Sequence, residues 1–436
     1  MPTTLAAGIR FVGLVAAACV ASIAFAPLAA EDAPPGSPTM RRFSEDVASG
    51  ARNAVGDFWK SLETSHTPIV EAIEGDPSNL WVTFVWRGAK DTHHVLLGGA
   101  LDGPQQQRFL ARVGETDVWF KTLRMRSDTR LTYLFGVDVP LDAVPLANTK
   151  ELLRRSLLFK PDPFNPEKFG RGSLLELMGA PKQTWIDTNH AAPKGKVDIE
   201  AGFASKILGN ARDISVYTPA GYSSAGDYPA VYLFDRGAYT TLVPTPRILD
   251  NLIHAQAIPP VVAVFIDNPP ILRMKELACD PDFTEFLAGE LVPWIRSNYF
   301  VSTDPARTII GGSSLGGLAA SYEAFQHPEI FGNVLSQSGS YWWSADFDVS
   351  NPAPDVEGEW LTRQFVAAPV RPIRFYLEVG LYEGAEPSMA VVNRHFRDVL
   401  TAKGYSIVHY SEFSGAHEYL HWRGSIADGL VALLKP

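Results

Sequence analysis

Cysteine is nearly absent: Cys19 and Cys279 are the only two in 436 residues. A fold stapled by disulfides is therefore excluded, and so is a cysteine-built metal knuckle; stability has to come from an apolar core. Positive charge is also short. Lys and Arg total 38 against 48 Asp and Glu, a formal net charge of −10. That excludes nucleic acid as the main partner, because phosphate binding needs a basic surface. An anionic small molecule would need a local Arg or Lys cluster. Long apolar runs are missing as well. The one candidate, Phe11 to Ala26, falls short of the roughly 20 residues of a membrane span. No internal repeat or low-complexity tract is present.

That apolar run has a different reading. A short, singly charged start up to Arg10, small residues through Ala26, and Pro27-Leu28-Ala29-Ala30 before Glu31-Asp32 form a secretory signal pattern. We expect cleavage after Ala30, no stable membrane insertion after it, and a periplasmic or secreted protein. Cys19 leaves with the signal and Cys279 remains alone. Hydrophobic residues make up 46%, enough for a sizeable core, and the length suits two globular units.

The pattern along the chain changes once. Glu31 to Thr39 is polar and proline-rich, so 31–54 reads as a leader, with a helix expected over Phe43–Leu62. Leu80–Trp86, His94–Leu97, Thr116–Thr122 and Leu131–Val137 are short β-rich runs, which predict an all-β sandwich over 55–155. Residues 156–196 read as a linker. From 197 to 436 strands alternate with helices, the signature of a mostly parallel sheet covered on both faces. Strands are expected at Ala211–Thr218, Pro229–Phe234, Val261–Asp267, Thr308–Ile310, Phe331–Ser336, Ile373–Val379 and Ser406–Phe413. Helices are expected at Asp282–Tyr299, Gly316–Gln326, Ser388–Lys403 and Gly424–Leu434. The predicted class is α/β: an α/β-hydrolase fold behind an N-terminal β-sandwich.

The chemistry centres on Gly312-Ser313-Ser314-Leu315-Gly316. It is G-x-S-x-G between an apolar strand and a helix, the context of a nucleophile elbow. Ser314 is the expected nucleophile and Ser313 the rival. The N–H of Leu315, at the helix start, becomes an oxyanion donor. In this fold the partners follow in the order acid, then histidine, each after a later strand. His417, just past the strand ending near Phe413, is the expected base. The acid belongs after Ile373–Val379, where Glu383 is preferred over Glu386. The second oxyanion donor is expected in Asp235-Arg236-Gly237-Ala238-Tyr239, with Gly237 and Ala238 as the choices. A decoy overlaps the base: His417-Glu418-Tyr419-Leu420-His421 spells H-E-x-x-H, a zinc signature when it lies on a helix. Gly415 and Gly424 leave little room for such a helix, and no third ligand is evident. No metal and no cofactor is expected.

On these residues the chain resembles the enterochelin (enterobactin) esterases, relatives of esterase D. Gly312 to Leu318 is similar to the family's nucleophile turn. Phe331-Gly332-Asn333-Val334-Leu335-Ser336-Gln337-Ser338-Gly339-Ser340-Tyr341-Trp342-Trp343 resembles the family along almost its whole length. His417 with Trp422-Arg423 resembles its G-x-H…W-R ending. Asp57-Phe58-Trp59, Thr67-Pro68, Val82-Thr83-Phe84 and Thr116-Asp117-Val118-Trp119 are similar to its amino-terminal β-domain. The resemblance covers most of 55–436. It implies hydrolysis of the serine trilactone of a catecholate siderophore, a small-molecule ester that can carry ferric iron as cargo, through an acyl-enzyme. It implies substrate contacts from Arg273 and, with Tyr341 and Trp342, a wall beside the substrate. Two features depart from the family. Its best-known members are cytoplasmic, whereas this chain is expected to be exported. Asp235-Arg236-Gly237 replaces Asp-Gly, which makes Arg236 a further residue for substrate choice. Competing readings are an exported acyl-sugar or feruloyl-type esterase, a non-catalytic binding protein, and an H-E-x-x-H zinc hydrolase.

Overall fold

A computed structural model describes residues 36–99, 108–142, 149–345, 357–384 and 388–435. The expected signal segment, 1–30, lies outside the described residues. Helices α1 (Pro38–Ala48) and α2 (Ala54–Ser65) come first. This corrects both the single helix expected over Phe43–Leu62 and the leader expected to end at 54. The helix breaks at Gly50 and Asn53, which have φ of 72° and 64°. Ser37 starts α1 by accepting the Met40 N–H. Met40 and Phe43 then bury into one cluster with Phe58, Trp59 and Leu62, so apolar burial anchors this segment to the body.

Strands β1 (Ile69–Ile73), β2 (Asp76–Arg87), β3 (Val95–Gly99), β4 (Ala111–Arg112), β5 (Val118–Arg126) and β6 (Arg130–Val137) follow, then helix α3 (Thr149–Ser156) and strands β7 (Lys168–Phe169) and β8 (Gly172–Glu176). They make two four-stranded sheets, ordered β1-β2-β5-β4 and β3-β6-β8-β7. The sheets share a core of Val82 and Phe84 from β2, Leu97 from β3, and Leu131, Tyr133 and Phe135 from β6. The β6 set follows the two-residue period of a strand with one face inward. The linker read at 156–196 is corrected here. Its Gly172–Glu176 is a strand, paired with β6 through Arg130↔Glu176 and Tyr133↔Ser173. So short a run beside glycines shows no readable alternation.

The rest of the chain builds the larger unit. Its elements are β9 (Lys196–Ser205), β10 (Asn210–Thr218), β11 (Ala230–Leu233), α4 (Arg236–Thr241), α5 (Thr245–His254), β12 (Val262–Ile266), α6 (Pro270–Glu276), α7 (Pro281–Phe286), α8 (Val292–Asn298), β13 (Thr308–Ser313), α9 (Leu315–Gln326), β14 (Asn333–Gln337), α10 (Trp360–Ala367), β15 (Arg374–Gly380), α11 (Met389–Lys403), β16 (Ser406–Phe413) and α12 (Tyr419–Leu434). The eight-stranded sheet runs β16-β15-β14-β13-β11-β12-β10-β9. Strands β12, β11, β13, β14, β15 and β16 are parallel, and β10 is antiparallel to both its neighbours. Helices α5 and α12 cover one face, while α7 to α11 cover the other. This is the α/β-hydrolase architecture expected. The helix expected over Asp282–Tyr299 contains a wide turn at Leu287–Leu291, beside Pro293, which cannot donate a backbone hydrogen bond.

The strand order locates the crevice. After β11 the chain crosses to β12 on one side, and after β13 it crosses to β14 on the other. Their carboxyl ends are neighbours, with Leu233 opposite Gly311. A sheet opens a ligand crevice at such a switch point.

One buried group beneath the sheet gives a pH prediction. The Glu323 side chain is sealed in α9, with Thr284 Oγ1 donating to Oε1 at 3.0 Å and, among the described residues, no hydrogen-bond partner for Oε2. Burial pushes its carboxyl well above the usual range, and the Thr284 hydroxyl offsets only part of that. A carboxyl raised in the folded state stabilises fully below its unfolded pKa of about 4.3. That contribution is lost as pH rises through the folded value. Glu323→Gln should therefore show a smaller loss of unfolding free energy than wild type as pH rises above about 4.3. Parallel urea-denaturation profiles would contradict this.

Candidate active site

Ser314 stands at the end of β13, with φ 60° and ψ −124°. Such backbone costs on the order of 1–3 kcal/mol for a residue with a side chain and persists only if the surroundings enforce it. They do. The Ser314 N–H donates to the Gln337 carbonyl at 2.9 Å, and its own carbonyl accepts the N–H groups of Ser340 (3.0 Å) and Leu318 (3.2 Å). The glycines have unequal tasks. A Cβ on Gly312 would lie 3.0 Å from the Gly316 backbone, and one on Gly317 would lie 2.5 Å from Ser336 Oγ. A Cβ on Gly316 would meet nothing nearer than 3.7 Å. The close approach thus falls on Gly312 and Gly317. Gly317→Ala should destabilise by about 1–3 kcal/mol, as overpacking does, whereas Gly316→Ala should be neutral or gain up to about 1 kcal/mol of helix propensity. Chemical denaturation of both variants checks this.

Ser313, the rival serine, is fully buried and cannot meet a ligand. Leu315 opens α9, and among the described residues no acceptor takes its N–H. The same holds for the N–H groups of Arg236 and Gly237 at the start of α4, whereas the Ala238 N–H donates to the Asp235 carbonyl at 2.9 Å. The expected choice between Gly237 and Ala238 is thereby narrowed to Gly237, with Arg236 as its neighbour.

Glu383 and His417 are brought together. His417 Nδ1 lies 2.8 Å from Glu383 Oε2. Because a carboxylate accepts, Nδ1 carries the proton and Nε2 is left as the acceptor nitrogen. The other oxygen, Oε1, accepts from Ser338 Oγ at 2.6 Å and from the Gly380 N–H at 2.8 Å. The imidazole packs edge-on against Trp422, with centroids 5.0 Å apart. Ser314 Oγ is 3.3 Å from Ser340 Oγ, and no hydrogen bond joins it to His417 in this rotamer. Unliganded sites commonly show such loose geometry, which tightens when substrate arrives. Glu386 lies outside the described residues. Glu378 turns away, into a buried network with Gln337 Nε2 (3.0 Å) and Ser425 Oγ (2.6 Å).

The H-E-x-x-H run is not helical at its start. His417 and Glu418 precede α12, which begins at Tyr419, so the two histidines do not share a helix face. His421 stacks on Phe413 instead, with centroids 3.3 Å apart. Among the described residues no group of three or more His, Cys, Asp or Glu could hold a metal ion.

The expected substrate contacts fare differently. Tyr341 is corrected: it is fully buried, stacked on Phe396, with its hydroxyl bonded to Ser321 and Ser336. Being apolar over most of its area, it serves the core. Trp342 remains half-buried against Val379 and Met389. Arg273 grips Asp235 through two of its guanidinium nitrogens, Nε and Nη2, at 2.6 and 2.8 Å, and so braces the segment that carries the Gly237 N–H. Arg236 Nε donates to Ser215 Oγ at 2.7 Å, which ties it to β10.

Sequence reasoning missed Gln337, Ser338 and Ser340. Together they fix the nucleophile turn, the acid and the hydroxyl beside Ser314. The available signal was a cluster of small polar residues at the end of a buried strand, where burial of unpaired hydroxyls would be costly. As a set, the site offers a strained, half-buried serine, free N–H groups and an imidazole oriented by a carboxylate. That is the equipment for acyl transfer.

Comparisons with known proteins agree. The family described as "Putative esterase" matches residues 205–433, and the family "Enterochelin esterase, N-terminal" matches residues 81–186. The iron(III) enterobactin esterase of Escherichia coli O6:H1 is 32% identical over 81% of this chain and 91% of its own. That of Dickeya dadantii is 29% identical over 86% and 92%. The crystal structure of the enterobactin esterase from Shigella flexneri, solved in the presence of enterobactin, superposes with a TM-score of 0.65 at 29% identity, covering 85% of this chain and 96% of that one. No helix among the described residues is long and apolar enough to cross a membrane. The chain belongs to the enterochelin esterase family and is a hydrolase that acts on esters.

Proposed function

We propose that this protein opens the lactone esters of a catecholate siderophore, with Ser314 as nucleophile, His417 as base and Glu383 as the acid that orients it. The observation that carries the reading is the strained Ser314 backbone at a switch point, together with the 2.8 Å Glu383–His417 pair. Relatives of similar length are named as enterobactin and salmochelin esterases, which sets the substrate class. His417 Nε2 takes the Ser314 proton as Oγ attacks a lactone carbonyl. The oxyanion is met by the Leu315 and Gly237 N–H groups, each worth roughly 3 kcal/mol at the transition state. Collapse expels the serine alkoxide of the ring, which receives the proton from His417. Water then attacks the acyl-enzyme by the same route and releases a ring-opened carboxylic acid. In this reading Trp342 lines the substrate side, and Arg273 acts through Asp235 on the oxyanion loop. Residues 1–30 are proposed to direct export to the periplasm. Cell fractionation with and without that segment tests this, and equal cytoplasmic retention would refute it.

The substrate class is tested by incubating the protein with ferric enterobactin, a simple aryl ester and a feruloylated sugar. Faster turnover of the trilactone is expected. If the aryl or feruloyl ester is cut and the trilactone is untouched, the siderophore reading falls.

A further inference from the structure

We propose that strand β6 of the N-terminal sandwich positions the histidine loop, so that the sandwich is a working part of the catalytic unit. This rests on the reading of His417 as base. The loop Ser414–Glu418 runs between the two units, and its backbone is tied to both. The Phe413 and Gly415 carbonyls accept from Leu381 and Tyr382 of the acid loop, at 2.9 and 3.0 Å, while the intervening Ser414 carbonyl accepts from the Arg130 N–H of β6 at 3.0 Å. Extended backbone points successive carbonyls to opposite sides, so the loop is bound along both edges.

Side chains reinforce the β6 edge on either side of His417. Ser414 Oγ is 2.7 Å from Thr129 Oγ1. Glu418, the residue after the histidine, accepts the Thr132 N–H at Oε1 (2.8 Å) and the Thr132 hydroxyl at Oε2 (2.7 Å). Ala416, the residue before the histidine, is fully buried within the sandwich core beside Leu131 and Tyr133. With both neighbours held by the sandwich, the His417 side chain is turned the other way, onto Glu383 and Trp422. The glutamate of H-E-x-x-H thus acts as a strap to the sandwich. A base displaced by about 1 Å can cost about 10²-fold in rate, which is the effect a lost strap would have.

The test uses the full chain with an aryl ester. Glu418→Ala should lower kcat by about 10- to 100-fold with KM little changed, the signature of a misplaced reacting group. Thr132→Val should lower kcat by less, because its N–H remains. Thr132→Ser and Glu418→Gln, which keep an oxygen in place, should recover most of the activity. Thermal unfolding and fluorophosphonate labelling of Ser314 run alongside. An unchanged kcat with a lowered Tm would overturn the proposal, since the contact would then serve only docking. A raised KM at constant kcat would overturn it too, as would failure of Thr132→Ser to outperform Thr132→Val. A wild type that the fluorophosphonate does not label would sink the triad reading itself, and the strap with it. Normal wild-type labelling matched by Glu418→Ala would sink the strap alone.

Discussion

Ser314→Ala should lose on the order of 10³-fold or more in kcat on any ester the wild type cleaves, with the fold intact. The size follows from the parts acting as a unit: without the hydroxyl, the imidazole and the oxyanion donors have no attacking atom to serve, and only residual binding and electrostatics remain. The fold should survive because the Ser314 backbone, which makes the bonds to Gln337, Ser340 and Leu318, is kept. Among the described residues, the Ser314 side chain makes one hydrogen bond, at 3.3 Å to Ser340 Oγ. Steady-state kinetics with a matched circular-dichroism spectrum checks both halves. A variant retaining a tenth of the activity would place the nucleophile elsewhere.

Glu383→Gln should come next in size, with a fall in kcat of up to about 10⁴-fold, the scale seen when the acid behind a catalytic histidine becomes an amide. The physical reason is the tautomer. Glu383 Oε2 fixes the proton on His417 Nδ1 and so leaves Nε2 able to accept. An amide nitrogen at that position would donate to Nδ1 and move the ring proton to Nε2, where it blocks the base. The amide would also face Ser338 Oγ and the Gly380 N–H, which now both donate to Glu383 Oε1. Glu386→Gln should leave kcat within about twofold, far from the loss expected of an acid in the relay. Reversed results would transfer the acid's role to Glu386.

Much of this site was readable in the chain because its chemistry is tied to local structure. Gly312-Ser313-Ser314-Leu315-Gly316 lies between a β-branched strand and a helix, and both the strained turn and the free Leu315 N–H follow from that junction. His417 was readable from its place after the last strand. Tyr341 was not, since an aromatic in a family-like run reads the same whether it faces substrate or core; only the packing on Phe396 and the bonds to Ser321 and Ser336 decide it. The partner of Arg273 was not legible either: the resemblance placed this residue near the substrate, but its ion pair with Asp235 joins residues distant in sequence and adjacent only because β11 and β12 are neighbours. The strand Gly172–Glu176 was illegible because its pairing with β6 is what makes it a strand. Glu418 was misleading, as its nearest motif named a metal whereas its bonds go to Thr132.

The most direct test is to quench the reaction with acid during turnover and map the protein by mass spectrometry. An acyl group from the substrate should appear on the peptide carrying residue 314, localised to that serine and absent from Ser314→Ala. An adduct on Ser313, or unmodified protein that loses activity to a chelator and not to serine reagents, would contradict Ser314 as the nucleophile of this enzyme.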